Sequence, residues 1–480
     1  MFEGSADISN TSSLIAGRAR QRRPILVSAQ VRLGCTRTLD AAIILGLGLL
    51  IYGVRNDWRM FNDASLIAIF VGVLLGPQLL AAFGVYTDRW AGKPAVLIPR
   101  IVGAWAATIA GVLVVMFMLK SGHSISRLWI GSWAMFGALA LVLTRIFLDA
   151  WLVRARSAGA LCSNVVVVGG NRRLAERATT VMADDPALRI VGTSLFRPGK
   201  EGADLGALQS LLRNHVVDLV VLALNDDERL DVEALLQELK QFPCETCLMA
   251  PTLSDALPIS GVRNLGRLPA VTLLETPIDG WHRVLKETED RVMAALILAL
   301  IAPLLAVLAL AVKLTSDGPV LYRQTRLGFN LEPIEVLKFR TMYADSCDPS
   351  LSANVAHASR NDPRVTPLGR LMRRTSIDEL PQLINVLKGE MSLVGPRPHA
   401  VTHDRHYSEL INGYLGRHRV KPGITGWAQI NGFRGEIRDV DAMRERIEHD
   451  LYYIDNWSIW FDLRILFGTM FVGFAHENAY

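Results

Sequence analysis

The sequence predicts a mixed membrane and α/β protein: a four-span helical bundle, an α/β module, and a last α/β third with a membrane-length apolar run of its own. Three observations lead there. Hydrophobic residues make up 50% of the 480 and gather in long runs, more than a water-soluble enzyme needs. In the middle of the chain short β-branched runs alternate with helical ones. Towards the end, basic residues interrupt apolar ones at short spacing. At about 150 residues per domain the length asks for about three parts. The net charge of +5 is small for this size, and its arginines cluster near apolar runs and in the last third. That pattern suits anionic lipid and phosphate, and no nucleic-acid motif is evident.

Residues 1–38 form a polar, arginine-rich N-terminal tail without the apolar stretch of a cleavable signal peptide. Four apolar stretches follow, at about 39–54, 64–86, 95–119 and 128–153, each near the ~20 residues that cross a bilayer. Residues 39–155 therefore read as a four-helix transmembrane bundle. Arg18, Arg20, Arg22, Arg23, Arg32 and Arg37 precede the first span, and Arg154 and Arg156 follow the last. An even number of spans puts both ends on one side, which the positive-inside rule makes cytoplasmic. The tail and everything after about 155 are then expected in the cytoplasm. The five cysteines lack the spacing of a disulfide framework.

Residues 160–280 read as an α/β module with a parallel sheet, on the runs "NVVVVGG", "LRIVGTSLF", "VVDLVVLAL" and "ETCLMAP". The first strand ends in Gly169-Gly170-Asn171 and enters a helix, a Rossmann-like start. The dinucleotide fingerprint is incomplete, however, because Arg172, Arg173 and Leu174 stand where further glycines would admit a pyrophosphate. Nucleotide binding and a structural or regulatory role both stay open for this module. Cys244 and Cys247 have no second pair to complete a zinc site, and read as ordinary thiols near a strand end.

Residues 285–480 open with a fifth apolar run, 292–314, long enough to span the membrane but with Pro303 in its middle. Proline removes a helix hydrogen bond and kinks the helix. Flanked by Arg291 and Lys313, the run reads equally as a plain fifth span or as a helix that enters and leaves by one face. Beyond it the chain stays rich in glycine, proline and arginine: "DGPVLYRQTRLG", "VLKFRTM", "DPRVTPLGRLMRRTSIDELPQLINVLKGEMSLVGPRPHA", "RHRVKPGITGWAQINGFRGE". Such spacing brings several cations to one point, and a multiply charged phosphate ester is their natural guest. Arg397 sits between Pro396 and Pro398, Arg364, Arg370, Arg373 and Arg374 precede an Asp378-Glu379 pair, and Lys338 and Arg340 flank Phe339.

The stretch "RRTSIDELPQL" supports two readings. Ser376-x-x-Glu379 matches a capping box, Pro381 suits a first helical turn, and Gly389 is placed to end that helix. Alternatively, a carboxylate at a helix start beside arginines is held ionised, as a nucleophile or Mg²⁺ ligand. Local physics leaves the two even.

In order along residues 289–480, "KFRTM", "SIDELPQL", "LKGEMSLVGPRP" and "KPGITGWAQINGFRGE" resemble the catalytic domain of the bacterial polyprenyl-phosphate hexose-1-phosphate transferases. The whole layout is similar to their long monotopic members of the undecaprenyl-phosphate glucose phosphotransferase type. The resemblance implies a phosphoglycosyl transferase that moves glucose 1-phosphate, or galactose or another hexose 1-phosphate, from a UDP-sugar to undecaprenyl phosphate. UMP would leave, and the lipid-linked sugar would start an exopolysaccharide, capsule or O-antigen. It further implies Asp378 as the nucleophile that carries a covalent phosphosugar, and Glu379 as metal ligand or proton acceptor. Asp378 and Glu379 would hold Mg²⁺, while Arg397, Arg373, Lys338 and Arg340 would bind phosphate and nucleotide. The helix 292–314 would be re-entrant, with the domain at the cytoplasmic face of the bacterial inner membrane. Two departures concern this helix: Ala302 stands before Pro303 where serine is usual, and Ala294 where an acid is common.

Competing readings are a nucleotide-responsive membrane regulator with an inactive transferase domain, which the intact dyad opposes, and a dinucleotide-type epimerase, which lacks its motifs. A homodimer stays open. His399, His403 and His406 at i, i+4 and i+7 suggest a metal-like helix face, though substrate contact suits His399 better. Residues 343–361 read as a polar loop, a substrate lid or plain surface. Trp457, Trp460, Phe461, Phe467 and Phe471 with Arg464 suit an interfacial helix or, nearly as well, core packing.

Overall fold

The computed structural model describes residues 29–56, 62–86, 94–121, 126–157, 162–183, 185, 187–197, 201–224, 232–249, 261–265, 268–343, 362–433 and 439–475. It divides into two compact units, one spanning Pro24–Cys162 and one containing Ser163–Tyr480.

The first unit holds four helices, α1 (Ala29–Asn56), α2 (Asp63–Ala82), α3 (Pro94–Met118) and α4 (Arg127–Ser157). Each contains a stretch long and apolar enough to cross a membrane. Their core is built on Trp105, Trp129 and Trp133, the last two stacked with centroids 5.5 Å apart. Indole N–H groups need acceptors when buried. Trp129 and Trp133 donate to the carbonyls of Gly48 and Ile44 on α1, at 3.2 and 3.1 Å. The buried Asp40 accepts from Arg145 and from the Tyr86 hydroxyl, both at 2.8 Å.

In the second unit, residues 163–274 form a six-stranded sheet of order β2-β1-β3-β4-β6-β5. β1 (Ser163–Gly169), β2 (Leu188–Leu195), β3 (Leu219–Ala223) and β4 (Glu245–Met249) run parallel, with α5 (Arg172–Ala183), α6 (Glu201–Asn214) and α7 (Val232–Leu239) between them. β6 (Leu268–Leu274) returns antiparallel against β4 and pairs with β5 (Gly261–Leu265), so the sheet is mixed where the strand runs read as parallel. Val165 to Val168 are buried on both faces, which is why that strand reads as an unbroken apolar run. A Cβ on Gly169 would lie 2.8 Å from Ala175 Cβ and 2.9 Å from the Asn171 carbonyl, so the helix packs against this glycine. Asn171 itself caps the helix, accepting from the Leu174 N–H at 3.0 Å. Cys244 and Cys247 are buried in the core of this module, outside any disulfide. Burial pushes the Cys244 thiol up to about 12, which leaves it inert at neutral pH.

The C-terminal part starts with α8 (Gly280–Thr315), which stays helical across Pro303. At 1.5 Å per residue its 36 residues measure about 54 Å. Val292, Leu296, Leu300, Leu304, Val307, Leu310 and Leu314 form one exposed apolar stripe along it. Its opposite side meets the rest of the domain twice. Ala294, Ile297 and Ile301 pack with Leu383, Val386 and Val394, while Leu305, Leu308 and Val312 pack with Phe339 and Met372. The acid that anchors this helix is Asp290, one turn before Ala294. Asp290 accepts from the Leu393 N–H at 2.9 Å, and Lys286 bridges it to Asp462 at 3.1 and 2.7 Å. Next come the hairpin β7 (Leu321–Leu327) and β8 (Pro333–Phe339), then α9 (Pro367–Thr375), α10 (Gln382–Lys388) and β9 (Ser392–Val394). α11 (Val401–Leu410), β10 (Gly423–Thr425), α12 (Trp427–Ile430), α13 (Val440–Asp455) and α14 (Ile459–Ala475) complete the domain. On α14 the apolar side chains divide between two faces: Phe461 packs inward, while Trp460, Leu463, Phe467 and Met470 are exposed. The side chain of Phe471 and the loop from 344 to 361 lie outside the described residues.

Candidate active site

The site begins with strand pairing. Tyr322 lies opposite Lys338, Gln324 opposite Val336 and Arg326 opposite Ile334, so all six share one face of the hairpin. From that face the Lys338 ammonium donates to Glu379 Oε1 at 2.8 Å. Asn385, fully buried on α10, stitches the hairpin to the helix that follows the dyad. Its Oδ1 accepts from the Leu337 N–H at 3.0 Å and its Nδ2 donates to the Glu335 carbonyl at 2.7 Å.

The dyad sits on a link between helices. Thr366 caps α9 by accepting from the Gly369 N–H, and a Cβ on Gly369 would come within 2.1 Å of the Thr341 carbonyl. α9 therefore lies against the end of "KFRTM" in a way only glycine permits. It ends at Ser376, left-handed at φ 55°, and Ile377–Glu379 forms a single 3₁₀ turn. α10 starts after Pro381. The capping box thus does not form: Ser376 closes the preceding helix with its N–H on the Arg373 carbonyl, and the Glu379 carboxylate turns to cations instead of that N–H. Gly389 ends α10 at φ 79°, the left-handed stop its sequence position suggests.

Opposite the hairpin stands the Pro-Arg-Pro turn, held by close-packed glycines. β9 and β10 pair in parallel, and a Cβ on Gly423 would lie 2.1 Å from the Gly395 amide, one on Gly426 2.3 Å from the Gly395 carbonyl. Arg397 leaves this turn and grips Glu379 with both arms, Nη1 to Oε2 at 2.9 Å and Nη2 to Oε1 at 2.7 Å. Arg417, fully buried, fixes the turn by donating to the Arg397 carbonyl at 2.6 Å, and pairs with Asp450 at 2.9 Å.

The two carboxylates differ in electrostatics. Burial would raise Glu379, but Arg397 and Lys338 outweigh it and hold its carboxyl well below the usual range. Burial, then the neighbouring Glu379, raises Asp378 to about 6 against the pull of Lys338, Arg373 and Arg397. A helix terminus is thus not what sets Asp378. It is still mostly ionised at pH 7, and more basic than an ordinary aspartate. Among the described residues its carboxylate accepts no hydrogen bond, so it faces the site with free oxygens while Glu379 is tied down.

Of the six residues read from sequence, Asp378, Glu379, Lys338 and Arg397 meet at one point, and Arg373 acts on Asp378 through its charge. Arg340 does not reach the dyad. It is buried against the end of α8, with Nη2 donating to the Ser316 carbonyl at 2.6 Å and to its hydroxyl at 2.9 Å. Arg364 is spent on Asp362. The histidine face does not form either. His399 precedes the Ala400 cap of α11 and is buried, 2.8 Å from the Tyr414 hydroxyl and against Arg417. Burial and then Arg417 hold its ring well below the ordinary histidine value, so it is neutral at pH 7. Among the described residues no three histidine, cysteine or acidic side chains gather as a metal site. Sequence reasoning missed Asn385, Arg417 and Arg326. For Arg326 the signal was present, since it alternates with Tyr322 and Gln324 on a strand paired to Lys338.

Comparison with known proteins adds the lineage. A family model described as bacterial sugar transferase matches residues 281–476, and one described as CoA-binding domain matches residues 81–250. The UDP-glucose:undecaprenyl-phosphate glucose-1-phosphate transferase of Xanthomonas campestris pv. campestris is 33% identical over 461 residues, covering 92% of this chain and 94% of its own length. This chain belongs to the bacterial sugar transferase family. A sugar transferase of the same name from Escherichia coli (strain K12) is 47% identical over 288 residues, 59% of this chain, and the chain spans 61% of that relative's length. The Aeromonas hydrophila UDP-N-acetylgalactosamine-undecaprenyl-phosphate N-acetylgalactosaminephosphotransferase is 41% identical over 199 residues, 42% of this chain and 45% of its own length. The sugar transferase segment contains the whole cluster of Lys338, Asp378, Glu379 and Arg397.

Proposed function

We propose that this sugar transferase moves glucose 1-phosphate from UDP-glucose to undecaprenyl phosphate, releasing UMP and starting a surface polysaccharide. The observation that carries the chemistry is the asymmetry of the dyad: an open, raised Asp378 beside a Glu379 clamped by Arg397 and Lys338. An Asp378 oxygen attacks the β-phosphorus of the donor, and the bond from that phosphorus to the UMP oxygen breaks. An oxygen of the lipid phosphate then attacks the same phosphorus and frees Asp378, leaving a lipid diphosphate sugar. Splitting one transfer into two is what a carboxylate nucleophile contributes. Arg397, Lys338 and Arg373 offset the charge that develops on phosphate. Glu379 holds Arg397 and Lys338 in place for that task.

Mg²⁺ fits this site through Asp378, because such ions take one or two carboxylates and complete their shell with water and substrate phosphate. Both Glu379 oxygens are engaged by Arg397 and Lys338, so Glu379 is the weaker ligand of the two. When bound, the ion would neutralise donor phosphate charge.

The membrane arrangement is part of the proposal. Residues 39–155 form a four-span bundle, 160–280 a Rossmann-like module and 285–480 the catalytic domain, at the cytoplasmic face of a bacterial inner membrane. Helix 292–314 is re-entrant. Its support is that both halves of α8 pack on one domain while a single leucine-rich stripe stays exposed. A span that crossed fully would carry its two ends to opposite faces.

Labelled UMP should exchange into UDP-glucose in the absence of lipid, and Asp378→Asn should abolish the exchange. Wild-type protein that exchanges nothing without lipid sinks the covalent route. A panel of labelled UDP-sugars then identifies the donor, with label from UDP-galactose but not UDP-glucose entering lipid as the result that replaces glucose.

A further inference from the structure

Arg326 is a half-buried cation with no carboxylate of its own. Among the described residues, the one side chain its guanidinium bonds is the neutral Gln324, at 2.7 Å. It shares the hairpin face of Lys338, which reaches Glu379. Its backbone also forms an antiparallel bridge with Ala400, three residues after Arg397, which sets it beside the Pro-Arg-Pro turn. Arg326 and Arg397 therefore act on each other beside the dyad, and neither carboxylate near Arg326 bonds it: Asp404 accepts from the Tyr414 hydroxyl at 2.6 Å, and Glu379 is spent on Arg397 and Lys338. Burial and then Arg397 lower the Arg326 guanidinium to about 10, the direction expected of a cation pressed against another cation. It remains charged at pH 7. A phosphate between Arg326 and Arg397 would relieve that repulsion, and guanidiniums match phosphate oxygens in pairs.

Both substrates of the proposed reaction carry phosphate, and the hairpin separates its ends. Arg340 continues the ladder by donating its N–H to the Val320 carbonyl at 2.9 Å, and reaches Ser316 at the end of the membrane-length helix. Arg326 lies six residues further along β7, about 20 Å away at ~3.3 Å per residue. The end near α8 suits a lipid head group, and the far end suits a soluble donor.

We propose that Arg326, resting on the transferase reading above, binds the nucleotide-side phosphate of the UDP-sugar donor and of the departing UMP. The test uses the full chain in lipid nanodiscs and the UMP exchange reaction without acceptor. Arg326→Gln should raise the KM for UDP-glucose and the inhibition constant of UMP together, by about 10- to 100-fold, the scale of a lost hydrogen bond to a charged group. The KM for undecaprenyl phosphate in the complete reaction should stay within about twofold. Arg326→Lys keeps the charge without the fork and should fall between the two; it replaces the glutamine variant if that one does not fold. Unchanged donor KM and UMP inhibition overturn the proposal. A rise confined to the lipid KM also overturns it, and hands the site to the acceptor phosphate. Absence of exchange in wild type refutes the covalent route instead, and UMP inhibition of the complete reaction then still decides Arg326.

Discussion

The pH dependence of the first half-reaction separates two accounts of Asp378. If a helix terminus held it ionised, exchange would persist down to the ordinary aspartate range. Instead, burial and Glu379 raise it to about 6, and the nucleophilic role proposed for it requires the deprotonated form. The sign follows directly: a raised value means the proton is held more tightly, so activity is present above pH 6 and falls as pH drops through it. Neutralising Glu379 removes the second cause of that elevation, and frees Lys338 and Arg397 to face Asp378. Two like charges at roughly 5 Å repel by about 3 kcal/mol at an effective dielectric of 20, which is about two pH units before relaxation. Glu379→Gln should therefore move the acid limb of exchange down by at least about one unit, whatever it does to the maximal rate. Lys338→Met should move the limb the other way, because Lys338 is the leading influence that lowers Asp378. The assay is UMP exchange between pH 4.5 and 8 at saturating UDP-glucose. A limb that stays near 6 in both variants, or shifts in the same direction in both, refutes the electrostatic reasoning.

Other expectations follow from packing. Asn385→Ala strands the buried Leu337 N–H and removes the donor to the Glu335 carbonyl, and should cost about 1–3 kcal/mol, read as a lower thermal midpoint and a weakened Lys338 contribution to exchange. Gly423→Ala forces a methyl to within 2.1 Å of the Gly395 amide and should displace the Pro-Arg-Pro turn. Exchange lost with the helical circular dichroism intact would show that displacement, whereas full activity would contradict it.

Part of this site was legible because its signals are local. The dyad, the two prolines around Arg397 and the spacing of "KFRTM" are visible in the chain, as are the apolar runs long enough for a membrane. The capping motif misled for an equally local reason. Ser376 and Glu379 have the right spacing, but a left-handed Ser376 closes the helix before, and two cations from distant segments compete for Glu379. Charge density likewise suggested that Arg340, Arg364 and Arg397 serve together, yet Arg340 holds Ser316 and Arg364 holds Asp362.

By itself, the amino-acid order determined the division into apolar bundle, α/β module and cation-rich third, since hydrophobic period and length act residue by residue along the chain. It also determined that Asp378 and Glu379 stand together. Which of them is clamped and which is open was decided only by the tertiary structure. That outcome depends on a lysine 41 residues before Glu379 and an arginine 18 residues after it, brought to one point by a hairpin and a glycine-packed turn. Coulomb energy depends on distance through space, and no spacing along the chain reports it.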